Sequence, residues 1–135
     1  MTPKCFVATI AKMKVLIIED DADLAKEYQE KISLKGFAVR VASDGEAGLT
    51  QIKQWHPDLV LIDIIMPKKN GLDVLKEIKS DDELKDIIAV ITTNFGQENL
   101  VKEAFEHGAN DFIVKYQTTS TEVAEKIASM ASQKN

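Results

Sequence analysis

Short apolar runs alternate along the chain with longer segments whose apolar residues recur at helical spacing. The runs are rich in β-branched residues and too short for helices, which predicts strands buried on both faces of a sheet. The predicted strands are Val15–Ile18, Ala38–Ala42, Leu59–Ile62, Ile87–Ile91 and Phe112–Val114. The second alternates around Arg40 and suits the edge of the sheet, whereas the third is the most apolar and suits its centre.

The segments between the strands carry helix signals. One helix is predicted over Asp20–Lys35 before the stop at Gly36, and a second begins at Asp44 and ends at His56-Pro57. Three further amphipathic helices have inward residues at Leu72, Leu75 and Ile78, then at Leu100, Val101, Ala104 and Phe105, then at Val123, Ala124, Ile127, Ala128 and Ala131. Five strands alternating with five helices predict one α/β domain built on a doubly wound parallel sheet.

Composition and charge narrow the classes of partner. The 135 residues suit one core, and the net charge of −5 argues against direct binding to a nucleic-acid backbone. No apolar run approaches the roughly 20 residues that span a bilayer, so membrane insertion is not expected. Cys5 is the only cysteine, which excludes an internal disulfide and favours a cytoplasmic location.

Residues 1–12 are interpreted as an N-terminal extension that precedes a domain at residues 13–133. The apolar stretch Phe6–Ala11 is shorter than the usual core of a signal peptide, about 7 to 15 residues, and lacks a cleavage site. Two interpretations of the extension stay open. Either Met13 is the biological start, or Phe6, Val7 and Ile10 pack against the domain.

Acidic, hydroxyl and basic residues stand at the ends of the predicted strands. They are Glu19, Asp20 and Asp21 after the first strand, Asp63 after the third, Thr92 after the fourth and Lys115 after the fifth. The carboxyl ends of parallel strands border the crevice in which open α/β sheets bind ligands. These residues are therefore expected to converge on one pocket, although they are spread over most of the chain.

The residue types in this pocket suit phosphoryl chemistry. Clustered carboxylates repel one another unless a cation lies between them, and Mg²⁺ prefers oxygen ligands. Asp20 and Asp63 suit direct ligation, with Glu19 acting through water and a loop carbonyl completing the set. Asp63 then stays ionised and is a candidate nucleophile for an aspartyl phosphate. Lys115 and the Thr92 hydroxyl are candidates to contact the equatorial phosphoryl oxygens.

Four motifs occur in order along the chain: VLIIEDD, PDLVLIDIIMPKKNG, the strand-ending Thr92, and GANDFIVK. With them the chain resembles a receiver domain of a two-component response regulator, of the single-domain chemotaxis type, over about residues 13–133. The resemblance implies a flavodoxin-like strand order 2-1-3-4-5 and Mg²⁺ or Mn²⁺ as cofactor. The implied roles are phospho-acceptor for Asp63, metal ligands for Glu19, Asp20, Asp63 and the Ile65 carbonyl, catalytic lysine for Lys115, and switch residues for Thr92 and Phe112.

The resemblance also implies a function and partners. Such domains accept a phosphoryl group from the phosphohistidine of a histidine kinase or phosphotransfer protein. They then change their affinity for a downstream protein, which is a two-state switch driven by a local change of charge. A protein of this kind catalyses its own phosphorylation and dephosphorylation without turning over a separate substrate.

Simpler interpretations apply to some of these residues. Acids near a helix start interact favourably with the helix dipole, which suffices for Asp21 and Asp23. Phe112 taken alone is a core residue, and Thr93 is an alternative to Thr92 as the hydroxyl at the end of the strand.

The chain departs from the family pattern at three positions. Tyr116 stands where the family has a proline joined by a cis bond; a trans bond is expected before a non-proline residue, so residues 116–120 should follow a different path. Thr93 replaces a small residue and narrows access to Asp63. Ile65 cannot orient hydrolytic water by hydrogen bonding, which predicts slow self-dephosphorylation.

Two alternatives to a phosphorylated switch remain. A non-phosphorylated pseudo-receiver acting as a binding module is disfavoured by the complete site, but Tyr116 and Thr93 leave it open. A flavin carrier or phosphatase of the same fold class is disfavoured for two reasons. The chain has no glycine-rich phosphate loop, and the position two residues after Asp63, where a second catalytic acid would stand, is Ile65. The chain is also interpretable as part of a larger regulator.

Overall fold

The computed structural model describes residues 13–66, 69–94 and 96–133, in which strands and helices alternate. The strands are β1 Lys14–Ile18, β2 Ala38–Ala42, β3 Leu59–Asp63, β4 Ile88–Thr93 and β5 Asp111–Val114. The helices are α1 Ala22–Ser33, α2 Gly45–Trp55, α3 Gly71–Ser80, α4 Glu98–Glu106 and α5 Ser120–Ser132. None of these described helices combines the length and apolar character needed to cross a bilayer. The predicted extension at residues 1–12 lies outside the described residues.

The strands form one parallel sheet in the order β2-β1-β3-β4-β5. This order confirms the predicted doubly wound, flavodoxin-like fold. As predicted, β2 lies at an edge and β3 at the centre. Every residue of β3 is buried, whereas β2 exposes Ala38 and Arg40. The apolar content of each run thus indicates whether its strand lies at the centre or at the edge of the sheet.

Helices cover both faces of the sheet and separate two hydrophobic cores. On one face, α1 and α5 pack Tyr28, Ile32 and Ile127 against β1, β3, β4 and β5. On the other face, α2, α3 and α4 form a core that includes Ile52 and Leu75. Burying one such side chain contributes about 1.5–3 kcal/mol to stability. Because strand residues alternate between the two cores, the core that a residue joins identifies the face on which it lies.

Side-chain caps fix where the helices begin. Asp21 accepts hydrogen bonds from two backbone N–H groups of the first turn, so α1 begins at Ala22 and not at the predicted Asp20. Asp20 is therefore left in the loop that follows β1. The predicted helix-start role of Asp21 agrees with this cap. The side chains that cap α2, α3 and α5 are Asp44, Asn70 and Thr119.

The end of β4 differs from the prediction. The strand was predicted to end at Ile91, but it continues through two threonines. Thr92 is in register with Asp63 of β3, and Thr93 is in register with Val114 of β5. β-branched threonines are well tolerated in strands, so the apolar run underestimated the length of β4. Thr92 therefore occupies a strand position whose backbone is fixed by the strands on both sides.

Candidate functional site

Four predicted site residues lie on the face of the sheet that α1 and α5 cover. A residue two positions beyond a strand residue shares its face. Each of the four follows a member of the α1–α5 core by two positions: Glu19 after Ile17, Asp63 after Leu61, Thr92 after Val90 and Lys115 after Ile113. Since the strands are parallel, all four stand at the same carboxyl edge of the sheet. The alternation of the strands therefore assembles the site.

Lys115 joins two carboxylates in this site. Its Nζ lies 2.7 Å from Asp63 Oδ2 and 2.8 Å from Glu19 Oε1. The residues are almost fully buried, with exposed fractions of 7% for Lys115, 5% for Asp63 and 2% for Glu19. Removing one member of a buried ion group leaves an uncompensated charge, which is strongly destabilising. One ammonium group faces two carboxylates, so negative charge exceeds positive charge in this group.

Each of the two buried carboxylates also accepts a backbone hydrogen bond. The N–H of Asp21 donates to Glu19 Oε2 at 3.0 Å, and the N–H of Ile65 donates to Asp63 Oδ1 at 3.3 Å. Asp63 is therefore held on one oxygen by Lys115 and on the other by the loop that follows β3. These contacts fix the orientation of the carboxylate before any ligand binds.

Burial changes the protonation equilibria of the group. It raises the pKa of Glu19 from 4.5 to about 7, against the hydrogen bond from Lys115, which lowers it. Burial also raises the pKa of Asp63, again opposed by Lys115. Burial lowers the pKa of Lys115, but the hydrogen bonds to Asp63 and Glu19 outweigh burial and raise it overall. The lysine therefore stays charged, and a further cation would favour the ionised carboxylates.

The three predicted metal-binding carboxylates come together. Glu19, Asp20 and Asp63 each offer one oxygen, and these oxygens lie within 4.8 Å of one another. Asp20 is exposed and the other two are buried. The exposed Asp20 makes these oxygens reachable from solvent, and the carboxylates outnumber the one nearby ammonium group. Such a set of oxygen ligands fits Mg²⁺ or Mn²⁺. The Ile65 carbonyl belongs to the loop directly after Asp63, and its role as a ligand stays a prediction.

Thr92 and Thr93 differ in what their hydroxyl groups contact. Thr92 Oγ1 is buried and has no hydrogen-bond partner among the described residues. Thr93 is also buried, but its hydroxyl donates to Gln97 Oε1 at 2.5 Å. Thr93 faces α4, because neighbouring strand residues point to opposite faces. The alternative that Thr93 replaces Thr92 in the pocket is therefore wrong. Sequence reasoning did not find the contact with Gln97, since no sequence pattern marks it.

Phe112 is not the core residue that its position in an apolar run suggested. Its exposed fraction is 38%, and its ring meets that of Phe105 edge to face, with centroids 6.0 Å apart. Phe105, which was predicted to face inward, is 43% exposed. Of the residues of α4, only Ala104 is buried. A pocket of about 120 Å³ beside Phe112 is lined in part by Thr93 and Val101.

Lys115 points into the site although a tyrosine, Tyr116, follows it. No cis peptide bond occurs among the described residues, so the predicted trans bond before Tyr116 is confirmed. Tyr116 adopts a left-handed conformation with φ of 66°, and its side chain is exposed. The N–H of Lys115 donates to the Thr93 carbonyl at 2.7 Å, which extends the pairing of β4 with β5 by one residue. This bond directs Lys115 into the site without a proline.

Gly71 supports the site in a way that sequence reasoning missed. A Cβ at this position would lie 2.2 Å from the carbonyl oxygen of Asp63 and 2.8 Å from Ile64 Cα. Both atoms belong to the backbone and cannot move aside cheaply. Only glycine therefore lets α3 begin so close to the end of β3. An Asn-Gly pair is typical of a turn, but it does not indicate this contact with the backbone of Asp63.

The chain belongs to the response regulator receiver domain family, whose model matches residues 15–128. The resemblance that the motifs indicated is thereby confirmed at the level of the family, and the chain is a receiver domain of two-component signalling. The family match and the acidic cluster together support a divalent cation as cofactor.

Curated relatives match over part of their length. The "Probable transcriptional regulator ycf27" of Guillardia theta is 38% identical over 104 residues, covering 77% of this chain and 40% of that protein. The "DNA-binding response regulator MtrA" of Mycobacterium leprae is 33% identical over 104 residues, covering 77% of this chain and 45% of that protein. The match thus spans less than half the length of these relatives. They are not chemotaxis proteins by name, so the narrower resemblance to single-domain chemotaxis proteins is not confirmed.

Solved structures match over almost the whole chain. A response regulator receiver domain protein from Clostridium thermocellum is similar with a TM-score of 0.81 and 26% identity, covering 90% of this chain and 96% of that one. The receiver domain of NtrX from Brucella abortus is similar with a TM-score of 0.80 and 26% identity, covering 90% and 99%. The sheet order and helix count described above are therefore those of receiver domains.

Proposed function

We propose that this receiver domain is a phosphoacceptor switch in which Asp63 takes a phosphoryl group from a phosphohistidine. The observation that carries the proposal is the position of Lys115, whose Nζ lies 2.7 Å from Asp63 Oδ2 inside a group of carboxylates that fits a divalent cation. The positive charge of the lysine stabilises Asp63 in its ionised, nucleophilic form. It is also placed to contact an oxygen of a phosphoryl group that arrives there.

The proposed reaction is a displacement at phosphorus. A carboxylate oxygen of Asp63 forms a bond to phosphorus while the bond from phosphorus to the donor nitrogen breaks. The nitrogen keeps that electron pair, and the donor leaves as a neutral imidazole when its other ring nitrogen already carries a proton. Asp63 reacts in its ionised form, so no general base is required. The products are an aspartyl phosphate and a free histidine side chain.

The residues of the chain orient this reaction. The backbone N–H of Ile65 and the ammonium of Lys115 hold the two oxygens of Asp63, which limits rotation of the carboxylate. Glu19, Asp20 and Asp63 would hold Mg²⁺ or Mn²⁺, with the Ile65 carbonyl as a further ligand. When bound, the cation supplies positive charge against the phosphoryl oxygens. The domain thus promotes its own phosphorylation and dephosphorylation and turns over no separate substrate.

We propose that Thr92 and Phe112 carry the response to the surface. The Thr92 hydroxyl is buried beside Asp63 in the register of the sheet and is available as a donor to a phosphoryl oxygen. Phe112 lies on the next strand, in register with Ile91. A change at the end of β4 therefore reaches Phe112 through directly paired strands. Its partly exposed ring and the pocket beside it belong to the surface that a downstream protein would contact.

A non-phosphorylated pseudo-receiver is the alternative to this proposal. Its support was Tyr116 and Thr93, which depart from the family pattern. Lys115 points into the site and bonds to Asp63. Thr93 points away from Asp63 and bonds to Gln97 on the α4 side of the sheet. Both observations favour the phosphorylated switch instead. We therefore prefer a phosphorylated switch to a non-phosphorylated binding module.

The proposed partners are a histidine kinase or phosphotransfer protein upstream and a downstream protein whose binding changes. The curated relatives named above are described as transcriptional or DNA-binding regulators. We propose that any DNA contact in such a protein is made outside the receiver region, because the net charge of −5 gives this chain no attraction to a phosphate backbone. The proposed location is the cytoplasm, where kinases of this type present their phosphohistidine. We retain as a proposal the single-domain, chemotaxis-type arrangement that the resemblance implied.

The proposal is tested by incubating the protein with acetyl phosphate and measuring its intact mass with and without Mg²⁺. We expect one phosphoryl adduct that requires the metal and is absent from Asp63→Asn. The matched control is Asp86→Asn, an exposed aspartate before the amino end of β4, at the opposite edge of the sheet from the site, which should form the adduct as the wild type does. No adduct on the folded wild-type protein, beside a working receiver as positive control, would favour the pseudo-receiver.

A further inference from the structure

One side-chain oxygen ties the end of β4 to the start of α4. Gln97 Oε1 accepts a hydrogen bond from the Thr93 hydroxyl at 2.5 Å and another from the backbone N–H of Asn94 at 2.8 Å. We call this arrangement of Thr93, Asn94 and Gln97 the β4–α4 clasp. Thr93 is 2% exposed and Gln97 is partly buried, so the bond between their side chains is largely shielded from water. Shielded bonds of this kind compete little with solvent.

The clasp is not an ordinary helix cap. Gln97 occupies the N-cap position of α4, yet its side chain makes no capping bond to that helix. In contrast, the side chains at the N-cap positions of the other described helices all bond to the backbone of their own first turn. Gln97 instead turns back toward the strand. Helix stability alone therefore does not account for this side-chain conformation, since it leaves the first turn of α4 without a side-chain cap.

The clasp acts on the residue next to Thr92. Thr93 bonds to Gln97 on the α4 side of the sheet, while Thr92 points to the opposite side, where Asp63 lies. Thr92 Oγ1 is buried without a hydrogen-bond partner among the described residues, so it makes no bond to Asp63 in this state. An unpaired buried hydroxyl is costly, and a new acceptor on Asp63 would attract it. Any rotation of the strand end that carries Thr92 toward Asp63 also moves Thr93 relative to Gln97.

We propose that Gln97 is a positioning residue. Through the clasp it holds Thr92 in the position that Thr92 has while Asp63 is unphosphorylated. Engagement of a phosphoryl oxygen by Thr92 then competes with the bond between Thr93 and Gln97. The clasp sets how strongly the phosphorylated state is favoured, and removing it makes that state easier to reach. This inference rests on the proposed function of Asp63 as phospho-acceptor, since without a group on Asp63 the Thr92 hydroxyl has nothing to engage.

The test measures the affinity for beryllofluoride, an analogue of a phosphoryl group on a carboxylate, in the presence of Mg²⁺ by titration calorimetry. Thr93→Val keeps the shape of the side chain and removes the hydroxyl. Gln97→Met removes the nearer of the two acceptors of that hydroxyl and leaves the Asn94 carbonyl at 3.1 Å. We expect both variants to bind beryllofluoride about 3- to 10-fold more tightly than wild type, the factor that corresponds to one net hydrogen bond. Because Gln97→Met also releases Asn94, its increase should be the larger one.

Conservative variants and a surface control separate positioning from stability. Thr93→Ser keeps the donor and Gln97→Glu keeps an acceptor, so both should bind as wild type does. Gln54→Met makes the same change as Gln97→Met on the exposed surface of α2 and should also leave the affinity unchanged. Urea unfolding without the analogue should show that Thr93→Val and Gln97→Met are less stable than wild type. A merely structural role for the clasp would lower the stability without tightening the binding.

Two negative results have different meanings. If wild type fails to bind beryllofluoride, the proposed function of Asp63 is wrong, and the inference about Gln97 fails with it. If wild type binds but Thr93→Val and Gln97→Met bind equally or more weakly, the inference alone is overturned and the proposed function stands. In the double variant, the two changes should not add, because they remove the same bond.

Discussion

Lys115 Nζ lies 2.7 Å from Asp63 Oδ2 although the residue that follows Lys115 is a tyrosine in a left-handed conformation. The bond from the Lys115 N–H to the Thr93 carbonyl fixes the lysine backbone before the chain turns at Tyr116. Tyr116 therefore turns the chain toward α5, while the ion pair between Lys115 and Asp63 is in place.

Replacing Lys115 with methionine should strongly destabilise the metal-free protein. The change leaves Asp63 and Glu19 buried without their ammonium partner, and we expect a loss of about 3 kcal/mol in the free energy of unfolding. Urea unfolding at neutral pH measures it. Added Mg²⁺ should restore part of the stability by supplying the missing positive charge. Lys102→Met is the control, because this lysine is exposed on α4; an equal effect in the two variants would contradict the account.

Replacing Ile65 with asparagine should shorten the lifetime of the phosphorylated protein. The Ile65 side chain is 52% exposed directly beyond Asp63, and it offers no hydrogen bond to a hydrolytic water. An amide at this position would orient that water, and one such bond is worth roughly a 3- to 10-fold faster hydrolysis. Loss of the adduct is followed by intact mass after the phosphodonor is removed. Ile65→Leu keeps the position apolar and should decay as wild type does; an unchanged lifetime in Ile65→Asn would show that position 65 does not limit hydrolysis.

Relieving the backbone at Tyr116 should stabilise the protein. A non-glycine residue in the left-handed region costs about 1–2 kcal/mol, whereas glycine adopts it freely. The useful comparison is Tyr116→Gly against Tyr116→Ala, since both remove the exposed ring but only alanine keeps the strain. Thermal or urea unfolding should find the glycine variant more stable by about 1 kcal/mol. Equal stability of the two variants would mean that the left-handed conformation is not retained in solution.

Tyr28 should ionise at unusually high pH. Burial, with a smaller contribution from the negative charge of Glu19, raises the pKa of Tyr28 from 10.0 to about 12. The chain has two tyrosines, so Tyr116→Phe leaves Tyr28 as the only phenol in an absorbance titration. We expect a midpoint near pH 12 in the folded protein and near pH 10 in denaturant.

The same shift predicts how stability depends on pH. The folded state favours the neutral phenol, so the contribution of Tyr28 is fully present below pH 10 and is lost as the pH rises to about 12. Tyr28→Phe lacks the ionisable hydroxyl. Its free energy of unfolding should therefore fall less than that of wild type as the pH rises from 10 to about 12. Parallel pH profiles of the two proteins would contradict the burial of the hydroxyl.

Much of the fold and of the site follows from local patterns. The lengths of the apolar runs identified the strands, and their apolar content placed β2 at the edge and β3 at the centre. Because parallel strands end on one side, Glu19, Asp63 and Lys115 were expected to meet, and the structure brings them within bonding distance. These features depend on the spacing of apolar residues and on the direction of the strands, and both can be inferred from the sequence alone.

Other features depend on which side chains meet after folding, and sequence reasoning missed them. The bond between Thr93 and Gln97 joins a strand end to a helix start in a way that neither residue signals. Phe105 was assigned to the core because helical spacing marks an apolar face, but α4 lies beside the edge strand β5, where less surface is covered. Apolar periodicity indicates a face and does not reveal how much of that face finds a partner.

The central claim is that Asp63 receives the phosphoryl group, and locating the group on the chain tests it most directly. The protein is treated with acetyl phosphate and Mg²⁺, the acyl phosphate is reduced with borohydride to homoserine, and the tryptic peptides are sequenced by mass spectrometry. Cleavage after Lys53 and Lys68 releases residues 54–68, a peptide that contains both Asp58 and Asp63. We expect homoserine at position 63 alone. Homoserine at position 58 or 20, hydroxynorvaline (the reduction product of a glutamyl phosphate) at position 19, or neither product in a folded protein, would contradict the assignment.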